Sequence, residues 1–97
     1  MKTIDVKIWP TWYNMVVTRQ MEFGIRQNDR DYQAGDILRE HLFYPDTQEM
    51  DGDFAVSRIT CVLANLPGLE PGYVAIGKFF LNVKKKKIKE NEDAENT

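Results

Sequence analysis

The sequence predicts an α+β domain, a small mixed β-barrel of about five to six strands with one short helix after the first strand. Three observations lead there. Apolar and polar residues alternate in several separate stretches, the period-two mark of half-buried strands. One early stretch has helical spacing instead and begins with a proline. Turn-forming residues recur about every eight to twelve positions, the spacing of small all-β and mixed barrels, whose closure removes exposed sheet edges. Residues 1–83 form the expected barrel domain, and residues 84–97 read as a charged tail without fixed structure.

Ile4, Val6 and Ile8 alternate with Thr3, Asp5 and Lys7 and make the first strand. Trp9-Pro10 ends it, and Pro10 suits the first turn of a helix, where a missing N–H costs nothing. Trp12, Tyr13, Val16 and Val17 then share one helical face, with Trp9 one turn earlier, so a helix is expected over residues 10–18. Trp9 and Trp12 are expected to pack in the core or between helix and sheet, with base stacking the alternative. Met21, Phe23 and Ile25 alternate with Glu22, Gly24 and Arg26 as a second strand. Gly24 there marks a bulge or a close approach by another backbone.

Residues 37–44 form a third strand with a conflict. Leu38, Glu40 and Leu42 share one face and Ile37, Arg39, His41 and Phe43 the other, so either phase buries a charge or exposes apolar groups. A bulge near residues 39–41 resolves it. His41 is expected as a partly exposed or hydrogen-bonded strand residue, since no Ser or Cys lies near it in sequence. Pro45 to Asp53 reads as a hairpin connection with its turn at Asp51-Gly52. Its acids lack the alternating-ligand pattern of a calcium loop. Phe54 to Leu63 is the fourth strand, Leu66 to Gly72 a turn-rich loop, and Tyr73 to Val83 a last strand, apolar on both faces and therefore internal to the sheet.

At 97 residues the chain is one domain, able to bury about 60% of its unfolded surface. No apolar run is long enough for a membrane span. The start, Met1-Lys2-Thr3-Ile4-Asp5, shows no signal-peptide core, so a cytoplasmic location is the expectation. Cys61 and His41 are single, so neither an internal disulfide nor a Cys/His zinc set is available, and no metal or cofactor is expected. Cys61 lies in an apolar run and is expected to be a buried, inert thiol. Residues 1–83 hold eight Lys and Arg against eleven Asp and Glu. That balance argues against non-specific nucleic-acid binding over the whole surface and leaves room for one local basic pocket.

The densest polar set is the loop Ile25-Arg26-Gln27-Asn28-Asp29-Arg30-Asp31-Tyr32-Gln33-Ala34-Gly35-Asp36. Arg26 and Arg30 offer forked donors to phosphate or carboxylate, Asn28 and the loop N–H groups add donors, and Tyr32 offers a stacking face. The competing reading has Asp29, Asp31 and Asp36 cap turns and pair both arginines. Arg26 is the residue expected to point into a cleft.

The strings Lys7-Ile8-Trp9-Pro10, Phe23-x-Ile25-Arg26-x-Asn28-Asp29-Arg30-Asp31-Tyr32-Gln33-x-Gly35-Asp36-Ile37-Leu38, Pro45-Asp46-Thr47, Thr60-x-Val62-Leu63 and Pro67-Gly68-Leu69-x-x-Gly72-Tyr73-Val74-Ala75 are similar, in order, to the ASCH-like branch of the PUA-like superfamily. More narrowly the chain resembles the small single-domain subgroup common in phages and prophages. The resemblance implies a PUA-like barrel, RNA binding and, in some ASCH relatives, amide hydrolysis on a modified cytidine. The ASCH-like motif Gly-x-Lys-x-x-Glu-x-Arg, placed on Arg26, puts Arg19 at the Gly, Met21 at the Lys and Gly24 at the Glu. Only Arg26 matches. Glu22 lies two residues early in the same strand phase.

Three functions follow as expectations. The first is an RNA- or nucleotide-binding module with Arg26, Asn28, Arg30, Tyr32 and Glu22 at the site and Lys84, Lys85, Lys86 and Lys87 assisting. The second is a phage- or prophage-encoded module that binds and inhibits a host protein, favoured by the acidic barrel and the acidic stretch Asp46–Asp53. The third, amide hydrolysis, is disfavoured because Met21 and Gly24 stand at the motif's Lys and Glu, and a thioether cannot shuttle a proton.

Overall fold

The computed structural model describes residues 1–85. In chain order the elements are β1 (Thr3–Ile8), α1 (Pro10–Val17), β2 (Phe23–Gln27), β3 (Ile37–Tyr44), β4 (Glu49–Leu63) and β5 (Tyr73–Lys84). They form one five-stranded sheet in the order β1-β3-β4-β5-β2. β1 runs parallel to β3, and the other pairs are antiparallel. The sheet curls into a half-barrel with α1 beside it. Closure is therefore less than expected. Among the described residues β1 and β2 stay unpaired with each other, and they face one another across an open seam.

The alternation in β1 places Ile4, Val6 and Ile8 inside. They divide between two buried clusters. One joins Ile4 and Val6 to Tyr32, Leu38, Ile59, Val74 and Ile76. The other joins Ile8 to Tyr13, Val16 and Ala55 beneath α1. β5 lies between β4 and β2, as its two-sided apolar pattern implies.

The conflict in β3 is resolved by an irregularity between His41 and Phe43, just past the expected bulge. Before it the buried residues are Leu38 and Glu40; after it the phase changes and Phe43 is buried.

Several expectations need correction. The helix stops at Val17, and Trp9 and Trp12 are about half exposed, stacked on each other with ring centroids 5.0 Å apart. Tyr13 and Val16 supply the buried face instead, because successive helical residues are turned by about 100° and only one stripe can face the sheet. Met21 and Glu22 precede β2 rather than lying in it. The hairpin turn is at Pro45–Gln48, and Asp51-Gly52 belongs to β4. Cys61 is exposed, on the outer side of β4, not buried. Its sulfur lies beside Gly77, in the space a side chain there would need.

Candidate functional site

The seam between β1 and β2 is crossed by two arginines. Arg26, on β2, donates from Nη2 to the Lys7 carbonyl at 3.3 Å. Arg30, in the loop after β2, donates from Nη1 to the Asp5 carbonyl at 2.9 Å. Residues two apart on a strand turn their carbonyls to the same side, so both arginines cap the free edge of β1.

Two clefts open on this seam and share Lys7, Ile25 and Arg26 as a common wall. The narrower has a volume of about 510 Å³. Trp9, Trp12, Phe23 and Ile25, each about half exposed, form its rim. Its floor is polar and buried. Lys78 Nζ donates to Glu40 Oε1 and Oε2, both at 2.8 Å, and Arg26 Nη2 donates to Glu40 Oε2 at 2.9 Å. The Glu40 and Lys78 side chains are 1% and 2% exposed, so the pair is almost wholly shut off from water. Burial pulls the Lys78 pKa below the ordinary lysine value, while the Glu40 carboxylate pulls it back up. A side chain at Gly24 would start 3.6 Å from Lys78 Nζ, so glycine keeps the space above the ammonium clear.

The wider cleft, about 800 Å³, is lined by Lys7, Arg26, Arg30, Arg39 and His41 together with Asp5 and Asp29. Asp5 and Arg39 are cross-strand partners on β1 and β3. Arg39 donates to both Asp5 oxygens, from Nε at 2.7 Å and Nη2 at 2.9 Å, and His41 Nε2 lies 2.7 Å from Asp5 Oδ1. The hydrogen bond from Arg39 is the main reason the Asp5 carboxyl is held down at about 2. His41 is thus the hydrogen-bonded strand residue expected.

The loop residues play unequal parts. Arg26 lies in both clefts, as expected, and Arg30 lies in the wider one. The loop aspartates pair with neither: Arg26 is held by Glu40, and Asp36 accepts instead from the Lys2 backbone N–H, Lys2 Nζ and Gln33 N–H. Those bonds, Lys2 Nζ first, lower the Asp36 pKa. Tyr32 reaches the wider cleft, but at 4% exposure it is a member of the core and not a free stacking face. Its hydroxyl pKa is pushed up, chiefly by burial. Asn28 is exposed, spends its backbone N–H on the Gly72 carbonyl and lines neither cleft.

Glu22 is also exposed and outside both clefts; its part is the carbonyl that accepts the Lys78 N–H at 3.0 Å. Lys84 ends β5, ten positions and about 30 Å of strand beyond Val74, the partner of Arg26. Lys85 sits 3.6 Å from Asp53. Neither lines a cleft, and Lys86 and Lys87 lie outside the described residues.

Sequence reading missed Glu40, Lys78, Lys7 and the outward-facing tryptophans. Glu40 carried a signal, a charge on the apolar phase of β3. So did Lys78, the lone charge within the apolar run of β5. Ser57 Oγ is a further buried polar atom, without a hydrogen-bond partner among the described residues; Ser57 pairs opposite Leu38 and lines neither cleft.

The fold is thus a curled sheet whose open seam has an aromatic rim and a polar floor. The chain matches the family described as Domain of unknown function (DUF3850) over residues 3–78 and belongs to it. That span takes in every side chain of both clefts, Lys78 being its last residue. No curated protein matches the chain.

Proposed function

We propose that this domain is a PUA-like nucleic-acid-binding module that takes an unstacked RNA base into the narrower cleft between β1 and β2. One observation carries the reading: an exposed, mostly aromatic rim stands directly over a buried polar floor. A base needs both. Its faces gain about 1–3 kcal/mol from stacking on an aromatic side chain. Its edge, once out of the stack, needs hydrogen-bonding groups in place of the lost partner. The stacked Trp9–Trp12 pair supplies a flat, rigid face. Arg26, partly exposed and with donors beyond those held by Glu40 and the Lys7 carbonyl, supplies the edge contacts, and Lys78 holds Glu40 beneath it.

The test is fluorescence anisotropy of short labelled single-stranded RNAs at low salt. Saturable binding is expected, weakened about 5- to 100-fold by Trp12→Ala. It should persist when Lys84, Lys85, Lys86 and Lys87 are all replaced by Gln. Binding that vanishes with those lysines would mean tail electrostatics alone. No binding at all would remove this reading and leave a host-protein partner as the next candidate.

A second reading is favoured by Lys78 itself. The sequence argument against amide hydrolysis rested on Met21 and Gly24, but Lys78 brings an amine to the cleft from another strand, with the Glu40 carboxylate 2.8 Å away. In that reading Glu40 takes the proton of an attacking water, and Lys78 protonates the leaving nitrogen as the C–N bond breaks. Incubation of the intact chain with acylated cytidines decides it. Release of the carboxylic acid, lost in Lys78→Met protein that still folds, supports hydrolysis; binding without turnover leaves the module a binder.

A further inference from the structure

We infer that the wider cleft is a phosphate subsite of the same ligand, so that the seam takes a phosphorylated nucleotide unit rather than a bare nucleoside. The inference rests on the base-binding reading above and adds the ligand's second half.

Charge is the first ground. The two clefts together are lined by five cations, Lys7, Arg26, Arg30, Arg39 and Lys78, against three carboxylates, Asp5, Asp29 and Glu40. The chain as a whole is negative, at −2, so the excess is local to the seam. Arg39 is bound at both ends of its fork by Asp5, and Lys78 is held by Glu40. Lys7 and Arg30 differ. Among the described residues no carboxylate lies within 4.0 Å of either one, although Asp29 and Asp31 flank Arg30 in sequence. The ammonium of Lys7 rests over the Phe43 ring, 4.5 Å from its centroid. Arg30 spends one N–H on a backbone carbonyl and keeps the remaining donors of its fork. Two cations left unpaired beside an occupied ion-pair network suit an incoming anion.

Spacing is the second ground. Arg26 and Arg30 are anchored on the Lys7 and Asp5 carbonyls, two residues and about 7 Å apart along β1. Donors at that separation reach the oxygens of one phosphate together, since each charge-assisted bond spans about 2.8 Å. The anchoring bonds hold both guanidinium groups in place before any ligand arrives, which reduces the ordering cost of binding. Arg26 stands in both clefts, so a phosphate on this side is continuous with a base on the other. Asp29 opposes an anion, but it is exposed and screened by water.

The test titrates the full chain, observed by amide NMR, with the four ribonucleosides, their 5′-monophosphates and dinucleoside monophosphates. At least one monophosphate or dinucleotide should bind tenfold or more tightly than its nucleoside, with shifts at residues 5–7 and 30. Arg30→Gln, a change at an exposed side chain, should cut that advantage to within about twofold. A dinucleotide advantage identifies an RNA phosphodiester as the source, and an advantage confined to the monophosphate identifies a free nucleotide. Nucleosides binding as well as their phosphates would overturn the subsite and leave base binding standing. An advantage undiminished in Arg30→Gln would also overturn it. Shifts from no probe at all would remove the base reading and this inference together.

Discussion

Glu40 holds the site together at the level of single residues. It is 1% exposed, and both of its oxygens are engaged by Lys78 while one also accepts from Arg26. A buried carboxylate is tolerable only in such company, because desolvation of an unpaired charge costs several kcal/mol. Removing one partner is therefore worse than removing both. Lys78→Met is expected to lower the unfolding free energy by about 3–5 kcal/mol, and Glu40→Leu combined with Lys78→Met to recover most of that loss. Urea denaturation of the two variants beside the parent chain checks this; equal losses in both would show that the pair contributes by packing alone. Part of this was legible beforehand. The alternation in β3 already demanded either a buried charge or an exposed apolar face, and a lysine within the apolar run of β5 stood ready as a partner. That the two meet was not legible, since 38 residues separate them and no local rule selects one cation among thirteen.

Among the elements, β4 and β5 show how an edge of the site is shaped from outside it. Their pairing slips between Ile59 and Cys61, and Gly77 faces Cys61 just past the slip. A Cβ on Gly77 would lie 2.8 Å from Cys61 Sγ and 2.9 Å from Thr60 Oγ1, closer than van der Waals contact permits. Gly77→Ala should therefore cost about 1–3 kcal/mol, with Cys61→Ala restoring part of it when the two are combined. Thermal unfolding of the single and double variants measures the coupling, and strict additivity would show that the sulfur is not the obstacle. Gly77 pairs with Phe23 on its other side, so the same glycine sets where β2 meets β5 and how the seam begins. The helix teaches a related lesson. Its place after β1 and its proline start were readable, but Trp12 and Tyr13 were assigned one face. Only the position of the sheet showed that Tyr13 turns inward and Trp12 outward, toward the cleft.

Across the whole molecule, five strands, one short helix after the first, their order along the chain, and an arginine in the cleft were legible in the residues alone. Those properties depend on neighbours two to four positions away, where side-chain period, proline and turn residues act directly. Folding was needed to make β1 and β2 the two edges, to stop the sheet at a half-barrel, and to set Arg26 and Arg30 across the gap. It also left Glu22, Asn28 and Lys84 outside both clefts and brought Lys7, Glu40 and Lys78 into their lining. The physical reason is that strand order and register are set by which faces are buried against which, a long-range balance of packing and desolvation. A family motif read along the chain placed no lysine beside Arg26, whereas folding brings one to its side from β5.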